Sequence, residues 1–160
     1  MSKVIRSIRF FFIKEGGVFL GYDVKRQRWD GLSIGVTWGI VTDDEAVKEL
    51  NKRGISILPG GLRKVAVIDC DNSQNTITCR AHAYLIDRWE GIPRASDFSV
   101  DRLWFPCDNL PVSELAPIDV DWLPKAMQGK TVYSRIHLRE DKSLKTVTRE
   151  VDLEYLERYC

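Results

Sequence analysis

Arg28-Trp29-Asp30-Gly31, and after it Thr42-Asp43-Asp44-Glu45-Ala46-Val47-Lys48-Glu49-Leu50-Asn51-Lys52-Arg53-Gly54, is the stretch on which the reading of the fold turns. The second part has the marks of one short helix. Thr42 followed three residues later by Glu45 is a capping-box pattern, in which the hydroxyl accepts from an otherwise unpaired N–H of the first turn. Ala46, Val47 and Leu50 recur at helical spacing and supply an apolar face. Gly54 stands where a left-handed residue would stop the helix. Glu45 and Glu49 lie upstream of Lys52 and Arg53, and Glu49 reaches those cations at i,i+3 and i,i+4 spacing.

Strand signals lie on both sides of this helix. Val4 to Ile13 reads as a strand, with Phe10, Phe11 and Phe12 continuous enough to be buried on both faces. Glu15-Gly16-Gly17 reads as a turn, and Val18 to Tyr22 as the returning strand. Lys64 to Cys70 and Thr76 to Ile86 are strands joined by the polar turn Asp71 to Asn75. In the second of these, Ile77, Cys79, Ala81, Ala83 and Leu85 face one way, and Thr78, Arg80, His82 and Tyr84 the other. Leu103 to Phe105 is a short strand. Asp119 to Gln128 predicts a helix with Pro124 early in it and Gly129 ending it. Thr131 to Arg139 and Leu144 to Val151 form a hairpin. Strands, helix, strands, helix and hairpin make an α+β order.

The chain has 160 residues, enough for one domain spanning 1–160 with a real core. Its formal net charge of +1 gives no reason to expect duplex DNA or an anionic membrane as partner. The apolar run Phe10 to Ile13 is too short for a signal peptide or a membrane span, so a cytoplasmic location is the default expectation. Cys70, Cys79, Cys107 and Cys160 contain no C-x-x-C pair and His82 and His137 are far apart, so the cysteines read as reduced thiols with no metal site.

Arg28-Trp29-Asp30-Gly31 with the Thr42-to-Gly54 helix resembles the entry to a Nudix box. Ala81-His82-Ala83-Tyr84, Leu103-Trp104-Phe105, Leu110-Pro111, Ala116-Pro117-Ile118-Asp119, Trp122-Leu123-Pro124 and Thr148-Arg149-Glu150-Val151 follow in the order and near the spacing of the same family. From Arg9 to Val151 the chain is similar to Nudix (MutT-type) proteins, and in particular to the branch that hydrolyses oxidised purine nucleoside triphosphates. The resemblance implies a Nudix fold, a mixed β-sheet sandwiched between helices.

The family's box runs Gly, five residues, Glu, seven residues, then Arg-Glu-aliphatic-X-Glu-Glu-X-Gly-aliphatic. Laid without gaps from Arg28, its first Gly becomes Ile34 and its first Glu Ile40. The Arg becomes Lys48, Glu49 and Leu50 match, the paired glutamates become Lys52 and Arg53, and Gly54 arrives one residue early. In the family, carboxylates on successive turns hold Mg²⁺, which needs several hard oxygen ligands and bridges phosphate oxygens. The resemblance puts a further acidic ligand near Asp97 to Ser99, with Phe98 or Ser99 at the match. Three readings of the helix stay open: ordinary surface ion pairs, a phosphate clamp made by Lys52 and Arg53, and an altered metal site built from Asp43, Asp44, Glu45 and Glu49.

The resemblance also assigns a base site lined by a Trp, two Asp and a further Trp. These positions read Ala116, Ile118, Asp119 and Trp122, and a family Asn after Arg-Trp reads Asp30. Leaving a base-reading group unmatched costs on the order of 1–3 kcal/mol, so the same oxidised purine is not expected. Trp122 either stacks a flat ring or is a core residue. His82 is either a general base or a buried structural residue. Trp38 lies in the loop that approaches the phosphates in the family and could fill that space.

Two function classes follow. One is a Nudix-fold binder of a nucleotide-like or phosphorylated small molecule, or of a protein partner, with no cofactor; its ligand residues are Trp122, Asp119, Asp30, Lys52 and Arg53. The other is an enzyme. It is either a Mg²⁺-dependent Nudix hydrolase of nucleoside diphosphate-linked substrates or a fold turned to metal-free chemistry, with Glu49, Asp30 and His82 as catalytic candidates.

Overall fold

The computed structural model describes residues 4–37, 41–97 and 99–159. Trp38, Ile40, Phe98 and Cys160 lie outside them. The described elements are β1 (Ile5–Lys14), β2 (Gly17–Asp23), β3 (Arg28–Asp30), β4 (Leu32–Val36), α1 (Asp43–Asn51), β5 (Ser56–Ile57), β6 (Leu62–Asp71) and β7 (Ile77–Ile86). After them come β8 (Trp89–Glu90), β9 (Ser99–Pro106), α2 (Leu123–Met127), β10 (Val132–Leu138), β11 (Leu144–Glu150) and α3 (Leu153–Glu157).

One mixed sheet runs in the order β11-β10-β6-β7-β1-β2-β3, with β4 paired to β1 and β9 to β2. β1 lies parallel to β7, in register Ile8↔His82 to Phe12↔Ile86, and β6 lies parallel to β10. The other pairings are antiparallel. The strand carrying three consecutive phenylalanines is covered on both faces, because Phe10, Phe11 and Phe12 are all fully buried. Alternation sends Phe10 and Phe12 into a core with Ala46 and Leu50 of α1, and Phe11 into the opposite core with Ala81, Ala83, Leu85, Trp122 and Ala126. A strand segment apolar on both faces is stable only with layers on both sides, and α1 and α2 supply them.

α1 begins and ends as its residues dictate. Thr42 Oγ1 accepts from Glu45 N at 3.2 Å, and Gly54 has a φ of +77°. Replacing Thr42 by alanine should cost about 1 kcal/mol, measured by urea unfolding, because one orphan N–H loses its acceptor.

Three expectations change. The helix expected over Asp119 to Gln128 is regular only from Leu123 to Met127. Pro124 has no N–H with which to close a bond to residue 120, so the ladder starts beside it and the preceding residues form turns. The strand expected at Leu103 to Phe105 extends over Ser99–Pro106, because β2 pairs with it along its length. β3 and β4 were not expected. β4 pairs with Arg6 to Phe10 of β1 and buries Leu32, Ile34 and Val36 in alternation. Among the described residues no helix is long and apolar enough to cross a membrane.

Candidate functional site

Glu49 faces inward from α1, beside buried Ala46 and Leu50. Its two carboxylate oxygens are both engaged: Lys52 Nζ lies 3.0 Å from Oε1 and Arg53 Nη1 3.1 Å from Oε2. Arg53 Nη1 also donates to the Glu49 carbonyl at 2.8 Å. Burial opposes the Glu49 charge, but the hydrogen bonds from Lys52 and Arg53 outweigh it and hold the carboxyl below its ordinary range. The first-turn acids stand elsewhere. Asp43 and Asp44 are exposed, and Glu45 is 3.5 Å from Lys48. Among the described residues no three Asp, Glu, His or Cys side chains cluster as a metal would require.

Beyond the C-terminal end of α1 lies a groove of about 600 Å³ lined by Arg53, Arg94, Arg102, Asp97, Phe19 and residues 91–95. Three guanidinium groups and one carboxylate give it a cationic excess. Asp97 pairs with Arg94 at 3.0 Å, and Ser99 donates its hydroxyl to the Ser96 carbonyl at 2.6 Å. Neither therefore adds a free acid beside Glu49. Arg94 and Arg102 were missed from the sequence because only the pairing of β9 with β2 brings that segment beside the helix.

Asp30, Asp119 and Trp122 do come together, around a residue the sequence reading passed over. Arg9 of β1 donates from Nη2 to Asp30 Oδ1 at 2.5 Å, from Nε to Asp119 Oδ1 at 3.1 Å, and from Nη2 to Asp119 Oδ2. Trp122 Nε1 donates to Asp119 Oδ1 at 3.1 Å, and its ring meets Phe11 edge-on at a centroid distance of 5.4 Å. Arg9 is 6% exposed, Asp30 3%, Asp119 and Trp122 0%. The cluster is an internal polar core with its hydrogen-bonding groups turned on one another. Trp122 has no exposed ring face on which to stack a ligand, and the two carboxylates point at a guanidinium of the same chain.

Gly31 makes this packing possible, since a Cβ there would come within 2.6 Å of the Phe10 carbonyl and 2.8 Å of the Phe11 ring. One cation serves two acids, so the charges do not balance. Burial raises the Asp119 carboxyl to about 6, Arg9 pulls it down and Asp30 pushes it up again. Burial works against the Arg9 charge, but Asp119 and then Asp30 more than offset it and keep the guanidinium ionised.

His82 does not join either site. It is 0% exposed on β7, and neither ring nitrogen has a hydrogen-bond partner among the described residues. Burial, then the cations Lys64, Arg80 and Arg6, depress its pKa to about 3. The imidazole is wholly covered and does not line the groove at α1.

No family model matches the chain. Over 127 residues it is 29% identical to the oxidized purine nucleoside triphosphate hydrolase of Mus musculus, covering 78% of this chain and 80% of that protein. The Danio rerio protein of the same name is 27% identical over 122 residues, 74% and 76% of the two chains. A MutT protein from Bacillus halodurans superposes with a TM-score of 0.70 at 14% identity, covering 92% of this chain and 97% of that one. A Nudix hydrolase from Nitrosomonas europaea gives 0.64 at 11% identity, covering 86% and 81%. The ordered motifs, the mixed sheet and these likenesses agree: the chain has the Nudix fold and is similar in sequence to the MutT-type Nudix hydrolases.

Proposed function

We propose that this protein uses the Nudix fold to bind a phosphorylated, nucleotide-like small molecule in the groove at the end of α1, without the Mg²⁺-dependent diphosphate hydrolysis usual for the fold. The observation that carries this reading is the state of Glu49, whose two oxygens are neutralised by Lys52 and Arg53. A divalent cation needs several oxygen ligands with free lone pairs, and two adjacent cations repel it. The donor set at this turn does not fit Mg²⁺.

The same turn suits an anion. Arg53 opens onto the groove shared with Arg94 and Arg102, and guanidinium forks bind phosphate oxygens bidentately. Lys52, with its side chain 66% exposed, is free to swing between Glu49 and a ligand. Asp30, Asp119 and Trp122, locked by Arg9, do not line this groove.

The reading is tested by Mg²⁺-dependent phosphate release over a panel of nucleoside triphosphates and sugar diphosphates, run beside a thermal-shift screen of the same compounds. We expect no turnover above background and a raised melting temperature with at least one phosphorylated compound, since a ligand that binds the folded state stabilises it. The double variant Lys52→Glu, Arg53→Glu should remove that shift while keeping a cooperative transition. Robust turnover abolished by Glu49→Gln would instead establish an active hydrolase with substitute ligands.

A further inference from the structure

A second cationic cavity lies away from α1, on the β10–β11 side of the sheet. It measures about 450 Å³ and is lined by Asp71, Tyr133, Arg135, His137, Lys145 and Arg149, with Asn75 and Val147 at its margin. The strand register creates it. Tyr133 stands opposite Arg149, Arg135 opposite Val147, and His137 opposite Lys145, so every second residue of both strands turns to the same face. Arg135 therefore has Lys145 and Arg149 as its two diagonal neighbours, and His137 faces Lys145 directly. Like charges at such cross-strand positions destabilise a sheet.

Against this crowding the cavity offers one acid. Asp71, 4% exposed at the end of β6, accepts from Arg135 Nε at 2.5 Å and bonds His137 Nδ1 through its other oxygen. That grip fixes the guanidinium and the imidazole at the cavity wall, and His137 Nε2 has no hydrogen-bond partner among the described residues. Arg149 is likewise held, donating from Nη2 to Tyr155 Oη at 2.7 Å with its plane over the Tyr133 and Tyr155 rings. Lys145 is exposed. Three full positive charges and one negative surround the cavity, an excess of two. Its volume lies within the ordinary span of small-ligand sites.

We propose that this cavity binds the dianionic phosphate group of a small phosphorylated ligand, with Lys145, Arg149 and the N–H groups of Arg135 not engaged by Asp71 or the Asn75 carbonyl as its donors and His137 at its wall. Asp71 is a positioning residue that aims Arg135. The site is independent of the groove at α1: the two share no residue, and either can fail without the other.

The chain has two histidines, which makes the test internally controlled. The full chain, labelled at histidine, is titrated with inorganic phosphate at constant pH and ionic strength and followed by NMR of the imidazole rings. The His137 resonances should move saturably while those of buried His82 stay in place, reporting that the fold is unchanged. Lys145→Glu, a charge reversal on an exposed side chain, should weaken phosphate binding roughly tenfold or more. Arg102→Glu, in the other groove, should leave the His137 titration as it was. A His137 response that does not saturate, that survives Lys145→Glu undiminished, or that disappears with Arg102→Glu overturns the proposal.

Discussion

Replacing Arg9 by methionine should lower the unfolding free energy by about 3–5 kcal/mol, the range seen when one partner of a buried ion pair is removed. The size follows from what is left behind. Asp30 and Asp119 are almost wholly buried, and Arg9 is the cation that both carboxylates bind. Without it, two acids face each other in a medium that solvates charge poorly, and among the described residues the Asp119 carboxylate keeps the Trp122 N–H. The triple variant Arg9→Met, Asp30→Asn, Asp119→Asn removes the charges together with their partner and should recover much of the loss. Guanidinium unfolding of the three proteins at neutral pH decides the matter. A triple variant as unstable as Arg9→Met would mean that shape, and not uncompensated charge, sets the cost.

The second large effect is a pair of opposite pH dependences. His82 has a pKa of about 3 in the fold against an ordinary 6.5. The unfolded chain takes up a proton in that interval that the fold refuses, so the His82 contribution is complete above pH 6.5 and is lost as pH falls towards 3. Asp119 runs the other way, from an ordinary 3.8 to about 6 in the fold. The folded state holds a proton that the unfolded chain has released, so this contribution is present below 3.8 and lost as pH rises through 6. Between about pH 4 and 6 the two slopes, each up to about 1.4 kcal/mol per pH unit, oppose each other.

His82→Phe should therefore leave a protein that gains stability on acidification from pH 6 towards 4.5, whereas Asp119→Asn should leave one that loses it. Glu49 and Asp71, both held below their ordinary ranges by cationic partners, add a loss at the acid end and set the lower limit of the useful window. Denaturant midpoints at half-unit steps of pH test the claim. Parallel curves for the two variants would show that neither group titrates as its surroundings imply.

Legibility in the sequence followed the range of the interactions. The cap at Thr42, the stop at Gly54, the β1–β2 turn and both long hairpins rest on contacts within a few residues, and all are where local chemistry put them. The double burial of Phe10, Phe11 and Phe12 was legible too, because a run of three consecutive apolar residues in a strand leaves neither side polar. β4 carried an alternating signal in Leu32, Ile34 and Val36, but five residues are few, and it became a strand by pairing with β1 some twenty-five residues away.

What the sequence by itself determined is the family order of the motifs, the α+β alternation and the presence of Lys52 and Arg53 one and two positions past Asn51 in the α1 region. The tertiary structure alone decided that Arg9, 21 residues from Asp30 and 110 from Asp119, lies between them. It alone placed Arg94 and Arg102 beside Arg53, and turned Arg135, His137, Lys145 and Arg149 onto one face. The reason is physical. Capping, turn formation and periodicity act over a few bonds and are written in neighbouring residues, whereas which charges meet, and whether water reaches them, depends on strand pairing and burial between segments distant along the chain.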